Sequence, residues 1–142
     1  MISFDFYELN SIENDKLQFA VIMARYKDYW LFVKHKERTT WEIPGGHREH
    51  NEIISDTASR ELNEETGADN YKIFPVCIYS VEKDGIKTFG QLFFAEIMHL
   101  GVLPDSEIGE VNHFKTIPKN LTYPLIQPYL YKKVESYLLN SN

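Results

Sequence analysis

Between Ile53 and Thr66 the chain has no Gly or Pro, and the next residue is Gly67. The run contains good helix formers, and a glycine directly after it is a common C-terminal stop. The spacing therefore predicts a helix from about Ile53 to Thr66. On that helix Glu61, Glu64 and Glu65 stand at i, i+3 and i+4, so three carboxylates share one face. Ile54, Ala58 and Leu62 recur every four residues and can anchor the helix on a core. Three clustered carboxylates repel one another unless a cation sits among them, and a hard divalent ion such as Mg²⁺ takes oxygen ligands. Arg60 can pair with Glu64 one turn on, or orient Glu61 through the fold. The plainer reading of the same residues is a solvated acidic face with i,i+4 pairs.

The flanking residues separate the two readings. Gly46, Glu52, Arg60, Glu61, Leu62, Glu64, Glu65, Gly67 and Ala68 fall in the pattern G-x5-E-x7-R-E-U-x-E-E-x-G-U, with U aliphatic or small and apolar. Seven fixed residues at fixed spacing arise by chance on the order of once in 10⁸ to 10⁹ starts, so coincidence is set aside. The pattern resembles the signature of the Nudix hydrolases. Trp41-Glu42-Ile43-Pro44-Gly45-Gly46 is similar to the strand-to-loop passage ahead of the box in that family. Two glycines let the backbone turn sharply and bring a carbonyl close to a ligand.

The resemblance implies a fold, a cofactor and a set of roles. The fold is an α/β/α sandwich around a mixed β-sheet, with the box as loop-helix-loop beside it. The cofactor is Mg²⁺ or Mn²⁺, and the reaction is attack of water on a nucleoside diphosphate linked to another moiety. Glu61, Glu64, Glu65 and the Gly45 carbonyl map onto metal ligands. Glu61 also maps onto a residue that serves as ligand or base, Arg60 onto the arginine that orients it, and Glu52 onto a supporting glutamate. The base often comes from outside the box. In Ser106-Glu107-Ile108-Gly109-Glu110, Glu107 is favoured for it over Glu110. The chain departs from the family at Arg48, where an aliphatic residue is common, and at Asn51, where Gly is common. Asn tolerates the left-handed conformation. Arg48 leaves the packing of the loop open and offers a phosphate contact.

Read by pattern alone, the chain is α/β and one domain across residues 1–142, long enough to bury a core. Strands are expected at Ile2–Leu9, Phe19–Arg25, Tyr29–His35, Tyr71–Val81, Thr88–Ile97 and Glu110–Lys115. Asp84-Gly85 is a hairpin turn signal. Glu37 to Asn51 is expected as loop with a short strand at Trp41–Ile43. A last helix, with Ile126, Leu130, Val134 and Leu138 every four residues, runs to about Leu139 and starts near Pro128.

The net charge of −6 argues against broad nucleic-acid or anionic-membrane binding. A polyphosphate substrate stays open, because a bound metal inverts the local charge. The lone cysteine, Cys77, lies in an apolar strand and cannot form an internal disulfide. The N-terminus lacks a signal pattern and the apolar runs are too short to span a bilayer, which points to the cytoplasm.

Substrate choice is thinly written. Lys34, His35 and Arg38 precede the box and could meet phosphates. Trp30, Trp41, Phe93, Phe94 and Tyr123 could stack on a base, though aromatic residues on strands are usually core. His47 and His50 flank the glycine loop, but Mg²⁺ prefers oxygen. The short chain is similar to the MutT-like branch, which acts on (d)NTPs, oxidised ones included. RNA 5′-triphosphate pyrophosphohydrolases and ADP-ribose-type hydrolases are the alternatives, and the acidic balance weighs against RNA. A nucleotide-sensing module without hydrolysis is the non-enzyme alternative, against which the intact glutamates count. The expected partner is a small nucleotide; a homodimer is left open.

Overall fold

A computed structural model describes residues 1–140. The strands are β1 (Ile2–Tyr7), β2 (Leu17–Tyr26), β3 (Tyr29–His35), β4 (Gly45–His47), β5 (Ala68–Lys83), β6 (Ile86–Leu100) and β7 (Ile108–Phe114). The helices are α1 (Ile54–Thr66) and α2 (Gln127–Asn140). The strands form one sheet in the order β1-β5-β6-β2-β3-β7, with β4 pairing β2 beside that path. The β2–β6 pairing is parallel and the others are antiparallel, so the sheet is mixed.

Strand alternation divides the core into two layers. Ile22, Ala24, Leu31, Ile78, Phe93 and Ala95 face one side and meet Ile54, Ala58 and Leu62 of α1. Met23, Trp30, Phe32, Cys77, Tyr79, Leu92 and Phe94 face the other and meet Leu130, Tyr131 and Val134 of α2. The expected α/β/α sandwich is the observed one. Fully burying one such aliphatic side chain contributes roughly 1.5–3 kcal/mol, so the two helices are held chiefly by these apolar contacts.

The hairpin turns follow from their residues. Lys27 and Asp28 have φ of 50° and 68°, and Asp84 and Gly85 of 54° and 79°. Two successive left-handed residues give the turn whose twist suits the strands on either side. Gly67 ends α1 at φ 80°, with its N–H on the Asn63 carbonyl. Asn51, at φ 64°, adopts the conformation expected where Gly is common. The start of α1 is capped from a distance. Asn14 accepts from the Ile54 N–H at 2.8 Å and donates to the Glu52 carbonyl at 3.0 Å, which satisfies one of the orphan donors of a helix start.

One stretch differs from expectation. Trp41 and Glu42 make single bridges to Leu121 and Val33 rather than a strand. The strand lies further on, at Gly45–His47, where β4 pairs with Phe19, Ala20 and Val21. Glycines carry little strand preference of their own, so only pairing with β2 creates β4. Arg48 then donates to the carbonyls of Leu17, Glu49, Glu52 and Asp15. Its guanidinium fastens the loop to the start of β2, which corrects the expectation of a phosphate contact.

Candidate active site

A cavity of about 650 Å³ opens between the box and the start of α2. Its polar lobe is lined by Gly45, Gly46, Arg60, Glu61, Glu65, Glu42, Glu107, His35 and Arg38. The helix periodicity brings Glu61 and Glu65 to the wall together, and β4 brings the two glycines against them.

Arg60 organises the side of this lobe. It donates from Nε and Nη2 to the two oxygens of Glu52 at 2.9 Å each, from Nη1 to Glu61 at 2.7 Å, and from Nη2 to the His47 carbonyl at 3.0 Å. The bidentate pair with Arg60, a Glu49 N–H bond and the Thr57 hydroxyl hold the Glu52 carboxyl down at about 2. Glu52 therefore supports Arg60 rather than the cavity. Glu61 sits so closely over Gly46 that a β-carbon there would collide with its carboxylate.

Glu65 is buried, at 5% exposure, and accepts the Gly45 N–H at 2.9 Å. Burial pushes its carboxyl up to about 8, and the nearby charges of Glu61, Glu42 and Glu107 add to the push. Burial also raises Glu61, against the pull of Arg60. Five carboxylates thus line a cavity whose two guanidinium cations are already engaged, Arg60 with Glu52 and Glu61 and Arg38 with Glu42.

His35 stands among these acids. Its Nε2 is 3.3 Å from Glu42 and 4.0 Å from Glu65, and its Nδ1 is 3.8 Å from Glu107. Glu42 is itself buried and also accepts from Arg38. Sequence reading passed over Glu42, because the bridge that brings it beside Val33 and His35 is nonlocal.

Other candidate residues are placed as follows. Lys34 lies outside the cavity lining, 3.8 Å from Glu110 and 4.4 Å from the Trp41 ring centroid. Neighbours on a strand point to opposite faces, so His35 turns toward the acids as Lys34 turns away. Glu64 is likewise outside the lining, half-exposed and 3.4 Å from Arg60. Glu107 lines the cavity and Glu110 does not. Trp30, Phe93 and Phe94 are buried core. Trp41 packs on Phe114, while Tyr123 is exposed and lines the cavity beside Arg38. His47 lines the cavity with its ring by Phe19, and His50 is exposed. Cys77 is buried and free.

The other lobe is mostly apolar, lined by Phe19, Val21, Tyr79, Val81 and Thr88 from the sheet and by Ile126, Gln127 and Leu130. Gln127 is buried, and its Oε1 accepts no hydrogen bond, the one such buried side-chain atom among the described residues. An unmade hydrogen bond of this kind costs about 1–3 kcal/mol. Sequence offered no signal for it. No group of three His, Cys, Asp or Glu side chains among the described residues is gathered as a metal-holding set. No described helix is long and apolar enough to cross a membrane.

Comparison with known proteins gives consistent results. A sequence model of the NUDIX domain matches residues 12–115. A Bacillus subtilis (strain 168) protein provisionally named 8-oxo-dGTP diphosphatase YtkD is 31% identical over 113 residues, which span 77% of this chain and 69% of that one. Among solved structures, a mutant of the Bacillus subtilis pyrophosphohydrolase BsRppH superposes with TM-score 0.79 at 24% identity, over 96% of this chain and 90% of that one. The NUDIX domain of Shewanella oneidensis NrtR, solved with ADP ribose, gives 0.67 at 15% identity, over 93% and 94%.

Proposed function

Since this chain belongs to the Nudix hydrolase family, we propose that it cleaves a phosphoanhydride bond of a (d)NTP, with an oxidised dNTP such as 8-oxo-dGTP as the leading substrate. The observation that carries this reading is the buried Glu65 carboxyl, facing Glu61, Glu42 and Glu107 in a cavity of nucleotide size. The named activity of the YtkD relative supports the oxidised substrate. Residues 1–142 are taken as one such domain.

The donor set fits a hard divalent cation. The oxygens of Glu61 and Glu65 lie at the cavity wall, and a buried acid pushed up to about 8 by burial and neighbouring carboxylates is a site short of positive charge. Glu65, Glu61, Glu64 and the Gly45 carbonyl would hold Mg²⁺ or Mn²⁺. Glu61 and Glu64 now contact Arg60, so they would turn from it to do so. When bound, the ion neutralises phosphate charge and makes water more acidic.

The remaining work falls to the protein's own side chains. Arg60, fixed by Glu52, sets the position of Glu61. The Gly45 N–H orients Glu65 through Oε1 and leaves Oε2 toward the cavity side of His35. Glu107, exposed at the rim, would take a proton from the attacking water, and His35 beside it would steady the carboxylate. Arg38, held by Glu42, offers a charge to the substrate phosphates.

A substrate panel tests the reading: the four dNTPs, 8-oxo-dGTP, ADP-ribose, a dinucleoside tetraphosphate and 5′-triphosphorylated RNA, each with Mg²⁺. Fastest turnover of 8-oxo-dGTP or a dNTP is expected. Preference for RNA ends or ADP-ribose would reassign the substrate. Binding without turnover would make the domain a sensor.

A further inference from the structure

We propose that the edge strand β1 pairs with β1 of a second copy of this chain across a two-fold axis, joining the two sheets. The inference concerns a surface other than the cavity and stands apart from the substrate reading.

An edge strand offers unpaired N–H and C=O groups to any other strand, and proteins blunt it with charge, proline or bulges. The sheet ends at β1 and β7. β7 carries Glu110 and His113 and meets β3 with a register shift at Lys34 and His35. The part of β5 that β1 leaves open, residues 68–77, carries Lys72 and Pro75 and three register shifts. β1, Ile-Ser-Phe-Asp-Phe-Tyr, pairs with β5 in unbroken register and bears one charge, Asp5. Ile2, Phe4 and Phe6 share one face. With Asp5, Leu125 and Tyr129 they line a groove of about 440 Å³ beside α2, and Phe6, Leu125 and Tyr129 are exposed.

Geometry and charge select the occupant and its register. On an antiparallel edge only alternate residues aim N–H and C=O outward, so across a two-fold axis each residue meets one of its own parity. Centring the axis on Phe4 or on Asp5 pairs five residues of β1, and other centres pair three at most. Centring on Asp5 sets that carboxylate against its own copy, a destabilising like-charge pair. Centring on Phe4 sets Ile2 against the partner's Phe6, Phe4 against the partner's Phe4, and Ser3 against the partner's Asp5. The apolar face then meets its own copy, no charge opposes a charge, and the partner's Phe6 comes to the groove beside Ile2. β1 is complementary to itself in this register. Two short strands bury little area, so the dimer is weak and concentration-dependent.

Sedimentation velocity of the full chain, from micromolar to near-millimolar concentration, tests this. Wild type should pass reversibly from monomer to dimer. Phe6→Thr keeps strand preference and removes the ring, and should weaken the dimer about tenfold. Ser3→Glu puts a carboxylate opposite the partner's Asp5 twice per dimer and should weaken it about two- to thirtyfold. Ser3→Glu with Asp5→Lys turns both contacts into opposite-charge pairs and should return dimerisation to the wild-type level or above. All three positions are exposed. Ser3 also lies opposite Glu82 on β5, so the melting point of each dilute monomer is followed in parallel. A dimer that either Phe6→Thr or Ser3→Glu leaves intact would overturn the proposal, as would a double variant no better than Ser3→Glu. A wild type that stays monomeric throughout would overturn it too, and leave the edge to a strand from another protein.

Discussion

The backbone N–H of Gly45 donates to Oε1 of Glu65 at 2.9 Å, tying the loop before α1 to the last turn of that helix. The bond crosses from a strand made by pairing with β2 to a side chain set by helix periodicity. It fixes the acid in place, while burial still pushes that carboxyl up to about 8.

The two glycines of this loop should fail differently. At Gly46 a β-carbon meets the end of the Glu61 side chain, which can swing aside. Gly46→Ala should therefore keep its melting point within a few degrees of wild type and lose roughly ten- to a hundredfold in kcat, since a displaced catalytic group is costly. At Gly45 the β-carbon meets the Ala20 carbonyl, which cannot move without breaking β4 from β2. Gly45→Ala should lose about 1–3 kcal/mol of stability. Thermal melts and steady-state kinetics on both variants check this, and equal loss of stability in the two would contradict it.

The Glu52–Arg60 pair predicts a pH signature. Glu52 is held at about 2 in the folded protein against an ordinary 4.5. A lowered carboxyl stabilises the fold above its ordinary value, and that stability is lost as pH falls through the folded value. Glu52→Gln should thus be less stable than wild type at pH 7, with the gap closing between about pH 4.5 and 2. Denaturant melts across that range provide the check. A constant gap would mean that Glu52 acts by shape alone.

Glu107→Gln should lower kcat with little change in KM, the mark of a group engaged mainly in the transition state. Glu110→Gln should do much less, because Glu110 faces Lys34 outside the cavity. A larger kcat loss for Glu110→Gln would transfer the role.

Much of the fold was legible because it is written locally. Apolar spacing located α1 and α2, and Asp84-Gly85 located the hairpin between β5 and β6. What was missed depends on pairing between distant segments. Gly45–His47 carries no strand signal and becomes β4 only against β2. Arg48 looked free until the Leu17 and Asp15 carbonyls came beside it. Glu42 and His35 are separated by a loop and meet because of one bridge to Val33. Lys34 and His35 could not be told apart without the face of β3 each occupies. The unpaired oxygen of Gln127 is a property of packing, with no trace in residue order.

The central claim is that Glu65 anchors a divalent cation on which hydrolysis depends. Its most direct test is the Mg²⁺ dependence of 8-oxo-dGTP turnover by wild type and Glu65→Gln, with circular dichroism confirming that both are folded. Wild type should be inactive in chelator and regain activity with Mg²⁺. The variant should turn over 10² to 10⁴ times more slowly, roughly the loss of one ligand's share of transition-state stabilisation. Full activity of Glu65→Gln at limiting Mg²⁺ would contradict the claim.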